Sequence, residues 1–78
     1  MTDLLLLGKA IGQIRAERGL SVGELAAAAG IEIERVQALE AGQLDPDYEL
    51  LLTLAEGLGV RPSALVIRAE ELLAERRV

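Results

Sequence analysis

Gly19-Leu20-Ser21-Val22-Gly23-Glu24-Leu25-Ala26-Ala27-Ala28-Ala29-Gly30-Ile31-Glu32-Ile33-Glu34-Arg35-Val36-Gln37-Ala38-Leu39-Glu40-Ala41-Gly42 is the stretch on which the fold turns. Ser21 and Glu24 stand at capping-box spacing, so the hydroxyl can take an early N–H of a helix while the carboxylate reaches back to the serine N–H. Leu25, Ala26 and Ala29 give this helix a narrow inner face, and Gly30 ends it. A second segment follows over about Glu32 to Ala41, with Ile31, Val36 and Leu39 directed inward and Gly42 as its stop. Ala26 and Gly30 are expected to let these two helices cross closely, because a larger side chain at either would push them apart.

The same punctuation holds on either side. Upstream, Leu4, Leu7, Ile11 and Ile14 recur at steps of three and four, which predicts a helix from about Asp3 to Arg18 with Gly19 as its stop. Downstream, Asp45-Pro46-Asp47 is a turn and cap signal. Leu50, Leu51, Leu54 and Leu58 then form a fourth helix ended by Gly59. Pro62 suits the first turn of a fifth helix, running through Leu65, Ile67, Ala69 and Leu72 towards Arg76. Arg76 and Arg77 are expected to end it in solvent, where they complement its C-terminal dipole. No alternating run suggests a strand, and connections of roughly two to six residues suit a helical bundle. The expectation is an all-α single domain over residues 1–78.

Composition narrows the chemistry. Of the 78 residues 51% are hydrophobic, almost all aliphatic, and Tyr48 is the one aromatic residue. A globular core follows, whereas single-stranded nucleic-acid binding by base stacking needs aromatic platforms that are absent. The chain has no Cys and no His, which removes disulfides, thiol chemistry and imidazole general bases, and makes a metal site or cofactor unexpected. Ser21 and Ser63 read as helix starts, Lys9 as a surface charge and the stop glycines as helix ends, so the residues do not suggest an enzyme. Leu4 to Leu7 is too short and lacks the basic leader of a signal peptide, and no run approaches the roughly 20 apolar residues of a membrane span. A cytoplasmic protein is expected. The formal net charge of −5 is the wrong sign for a nucleic-acid partner, since cations supply most non-specific affinity for phosphates.

The ordered series Ile14-Arg15-x-x-Arg18-Gly19-Leu20-Ser21-x-x-Glu24-Leu25-Ala26, then Ala29-Gly30-Ile31, resembles the opening of the phage-repressor (Xre/Cro-like) helix-turn-helix family. Val36-x-x-Leu39-Glu40-x-Gly42, Pro46 and Leu51-x-x-Leu54-Ala55-x-x-Leu58-Gly59-Val60 continue the match over roughly residues 7 to 66. The short length, Leu-rich lead-in and C-terminal helix also resemble restriction-modification controller proteins, which are stand-alone dimers. The resemblance implies a five-helix fold with the helix-turn-helix at about 21–41, and sequence-specific DNA binding by a homodimeric transcriptional regulator. It implies that Arg15 and Glu40 form an ion pair between the first and third helices. An inward charge of this kind needs a partner to offset its desolvation.

Carried over position by position, the resemblance implies base reading at Ile33, Glu34 and Ala38, with Arg35 and Gln37 nearby. Phosphate anchoring falls to Ser21, Val22, Ala41 and the Gln43–Leu44 loop, helped by Lys9, Arg15 or Arg18. The chain departs from the family at most of these places. Val22 stands where a Gln is usual, and Glu32 where a Ser or Thr usually caps the third helix. Between Ile31 and Asp45, Glu32, Glu34, Glu40 and Asp45 face Arg35 alone. Acids in a helix's first turn also favour its dipole, which accounts for Glu32 and Glu34 without DNA. As readers, Glu34 can accept from a cytosine amino group, Ile33 can touch a thymine methyl, and Arg35 or Gln37 can reach a guanine or a phosphate. The alternative is the same fold used as a protein-interaction or dimerisation module that has lost DNA binding, its acidic third helix facing a basic partner protein. On the fifth helix Leu65, Val66, Leu72 and Leu73 supply more apolar surface than one core face needs, with Val66 and Leu73 on one side. A homodimer interface is expected there, joined by Leu4, Leu5 and Leu6.

Overall fold

The computed structural model describes residues 3–76. Arg77, expected at the end of the fifth helix, lies outside them. The described chain forms α1 (Leu4–Glu17), α2 (Val22–Ala29), α3 (Ile33–Glu40), α4 (Tyr48–Leu58) and α5 (Pro62–Arg76), with no strand among them.

The helix starts follow from side chains that satisfy otherwise orphaned N–H groups. Asp3 accepts from the Leu5 and Leu6 amides at 3.0 and 3.3 Å, and Asp47 accepts from the Leu50 amide at 2.8 Å. The Ser21–Glu24 capping box is complete: the Glu24 amide donates to Ser21 Oγ at 3.0 Å, and the Ser21 amide donates to Glu24 Oε1 at 2.8 Å. The Glu24 carboxyl is held below its ordinary range by Ser21, first by the bond from its backbone amide and then by its hydroxyl. α3 alone among these starts has no side-chain cap, since Glu32 makes no such bond.

α1 packs against α3 and α5, α2 against α3 and α4, and α4 against α5. Leu7, Ile11 and Ile14 of α1 meet Leu25 and Ala26 of α2, Val36 and Leu39 of α3, Leu50, Leu54, Ala55 and Leu58 of α4, and Leu65 of α5 in one apolar core. α5 is fastened along α1 by charges at both ends. Arg68 donates to Glu17 at 2.6 and 2.9 Å, and Arg76 donates to Asp3 at 2.9 Å.

Three expectations need correction. Leu65 is fully buried in the core, so it offers no surface to a partner and is not an interface residue. Leu6 is buried as well, whereas Leu5 is exposed. On α5, Ile67 is exposed, because Leu65, Ala69 and Leu72 take the inward stripe and Ile67 falls roughly 200° round the helix from Leu65. Gly30 does not provide a close crossing, since a methyl group built there meets nothing within 4 Å. Its requirement is a left-handed backbone with φ +68°. The close approach lies elsewhere, at Gly8, where a methyl would overlap the carbonyl oxygen of Leu39 and lie 2.8 Å from that of Glu40.

Candidate nucleic-acid interface

The side chain of Arg15 joins the two ends of the helix-turn-helix. Its Nε donates to Glu40 Oε2 at 2.7 Å, its Nη2 to Glu40 Oε1 at 3.1 Å, and its Nη1 to the carbonyl of Leu20 at 2.8 Å. One guanidinium thus fixes the entry to α2 and the last turn of α3. Both side chains are about four-fifths buried, and the bond to Glu40 raises the Arg15 pKa further above its ordinary value. Gly12 makes room for the carboxylate, because a methyl there would stand 3.0 Å from Glu40 Oε1. Arg15 is therefore committed to this fork, which takes it out of the set expected to help with phosphates.

The turn places the start of α3 beside the start of α2. Ile33 is exposed and its Cδ1 lies 3.6 Å from where a side chain at Gly23 would begin. Glu34, Arg35 and Gln37 are exposed, Ala38 is half-buried, and Ala41 and Gln43 are exposed. None of the side chains of Glu34, Arg35, Gln37 or Gln43 bonds to another described residue. Their polar groups face solvent with their hydrogen-bonding capacity unspent. Ser21 is also exposed, but its hydroxyl is engaged at the helix start. Val22 is half-buried and packs against the core, and so does Leu44. Val22 therefore serves packing at a place where a polar anchor was the family expectation.

The cations are unevenly spent. Arg15, Arg68 and Arg76 are ion-paired, whereas Lys9, Arg18, Arg35 and Arg61 form no ion pair among the described residues. Arg18 lies over the end of α4: a methyl at Gly59 would be 2.9 Å from its Nη2. There it complements the helix C-terminal dipole. On the α2–α3 face, Glu32 and Glu34 outnumber Arg35.

Gly8 and Gly12 were not singled out in the sequence, although both shape this unit. The available signal was two glycines four residues apart inside a helix, each of which costs stability unless something needs the space.

A groove of about 580 Å³ lies on another part of the molecule between α1, α5, the start of α4 and the loop before it, lined by Leu6, Leu7, Pro46, Leu51, Val66 and Leu73 together with the acids Asp3, Asp45 and Glu70. Val66 and Leu73 share this groove, while Leu72 lines a separate shallow depression with Gln13 and Arg68.

Residues 11–65 match the family model described as helix-turn-helix. The chain is 33% identical over 66 residues to the HTH-type transcriptional regulator y4dJ of Sinorhizobium fredii, covering 85% of this chain and 86% of that one. Among solved structures it is similar to the clp gene regulator ClgR of Corynebacterium glutamicum, with a TM-score of 0.85 and 28% identity over 91% of this chain and 92% of that chain. It is also similar to the restriction-modification controller protein C.AhdI of Aeromonas hydrophila, with a TM-score of 0.79 and 32% identity over 81% and 96% of the two chains. The protein belongs to the Xre-like helix-turn-helix family of DNA-binding transcriptional regulators.

Proposed function

We propose that the protein is a cytoplasmic, sequence-specific DNA-binding regulator, one domain over residues 1–78, that acts as a homodimer on a short operator. The observation that carries this reading is the row Ile33, Glu34, Arg35 and Gln37 at the start of α3. All four are exposed, and the three polar side chains have no partner among the described residues. Such a row is free to meet base edges when the second helix of the motif enters the major groove. The Arg15–Glu40 fork supports it from behind by fixing α3 against α1. The groove edged by Val66 and Leu73, together with exposed Ile67, supports pairing of two copies through α5. Pairing doubles each contact, which matters for a surface with so few cations.

Fluorescence anisotropy tests the reading, using duplex DNA from upstream of the protein's own gene beside a scrambled duplex. Tighter binding to the native duplex is expected. A shallow salt slope is expected too, because each phosphate neutralised contributes about −0.9 to the slope of log K against log salt and few cations are free. Absence of binding at low salt would instead favour a protein-interaction module, whose supporting observation is the unpaired acids Glu32 and Glu34.

A further inference from the structure

We infer that Glu34 fixes a cytosine in each half of the operator. The inference rests on the DNA-binding reading above and assigns a base preference to one residue of it. The helix-turn-helix holds four acids: Glu32 is the residue before α3 with no side-chain bond, and the three inside the helices differ in what their carboxylates already do. Glu24 is held by the Ser21 amide and Glu40 by the Arg15 fork. Glu34 is exposed in the first turn of α3, with no hydrogen bond or ion pair to any described residue. Its acceptor capacity is unspent.

The helix surface beside it leaves room for a base edge. Its neighbours on that face are Ala38 at i+4, a methyl that leaves a base edge free to approach, and the exposed Gln37 at i+3, itself without a partner among the described residues. An ionised carboxylate can only accept, and it is repelled by the phosphates on both walls of the groove. It is tolerated there where it meets a donor. In the major groove the donors are the amino groups of cytosine and adenine. Guanine presents two acceptors, and thymine an acceptor and a methyl. Adenine sets its N7 acceptor beside the amino group, where it opposes the second carboxylate oxygen. On cytosine the amino group is flanked on its own base by the C5–H, leaving an acceptor only on the paired guanine's side, so it is the base a glutamate selects.

A glutamate that serves only the helix dipole would leave base preference untouched, which makes the two roles separable. The experiment selects bound duplexes from a randomised pool with the wild-type protein, Glu34→Gln and Glu34→Ala, after urea unfolding has shown all three to be folded. The wild type is expected to enrich a two-fold symmetric motif containing a cytosine that Glu34→Gln exchanges for adenine. Glu34→Ala is expected to lose preference at that position and keep the rest of the motif. In a fixed duplex, N4-methylation of that cytosine should weaken wild-type binding about tenfold or more and leave Glu34→Ala little changed. The same motif from all three proteins overturns the inference and leaves the DNA-binding reading intact. No enrichment by any of them removes both.

Discussion

Arg15 and Glu40 form a pair that neither partner can leave without consequence. With both side chains about four-fifths buried, Glu40→Ala strands a guanidinium that keeps only the Leu20 carbonyl. Removing one partner of a fully buried pair costs about 3–5 kcal/mol. The residual exposure here brings the expected loss nearer 2 kcal/mol, read as a lower urea midpoint with an unchanged slope. Glu40→Gln keeps the shape and one acceptor, and is expected to lose about half as much. An unchanged midpoint in Glu40→Ala would mean that the fork contributes nothing to stability. The pair was legible from the sequence because two opposite charges fall at family positions on otherwise inward faces. The third bond, to the Leu20 carbonyl, was not legible. It depends on how the chain turns after Gly19, and no residue type announces that path. Val22 shows the opposite error. Its position pointed to an anchor, and its apolar side chain, turned toward the core, was the better guide.

At the scale of helices, the close crossing of α1 and α3 depends on Gly8 rather than on the glycines that end helices. A methyl at Gly8 meets the backbone carbonyls of Leu39 and Glu40, which cannot rotate away as a side chain could. Gly8→Ala gains about 1 kcal/mol of helix propensity, yet it must push apart two helices joined by the Arg15–Glu40 fork. Overpacking on that scale costs about 1–3 kcal/mol and more against rigid backbone, so a net loss of roughly 2 kcal/mol is expected. Gly30→Ala meets open space and costs only its left-handed backbone, about 1 kcal/mol. Thermal melts of the two variants should rank Gly8→Ala lower, and the reverse order would place the critical crossing at the α2–α3 turn. The starts of α1, α2, α4 and α5 and the stops of α1 to α4 were readable from Gly, Ser, Asp and Pro, because these residues act on their own few neighbours. The packing register of α5 was not. Leu65 and Ile67 are equally apolar, and their assignment to core and surface is settled by which stripe α1 and α4 can cover.

For the whole molecule, charge sets dimerisation and DNA binding against each other. Each copy carries −5, so two copies repel, and the groove proposed for pairing is lined in part by Asp45 and Glu70, with Asp3 already neutralised by Arg76. A two-fold pairing that sets Val66 of one copy against Leu73 of the other places the axis midway between them, beside Ala69 and Glu70. Each Glu70 then meets its own counterpart, and it has no ion pair among the described residues to soften the encounter. Glu70→Gln is therefore expected to tighten the dimer several-fold, and Val66→Glu to split it, in sedimentation measured across a dilution series. Added salt screens the repulsion between copies while it weakens contacts with phosphates. Raising salt from low to near-physiological should thus strengthen the wild-type dimer and weaken its hold on DNA. The observed salt slope of operator binding should steepen once the protein is concentrated enough to be fully dimeric. In Glu70→Gln the steep slope should already appear at lower protein concentration. A dimer indifferent to both salt and Glu70→Gln would put the two-fold axis elsewhere, with the exposed Ile67 side of α5 the next surface to mutate.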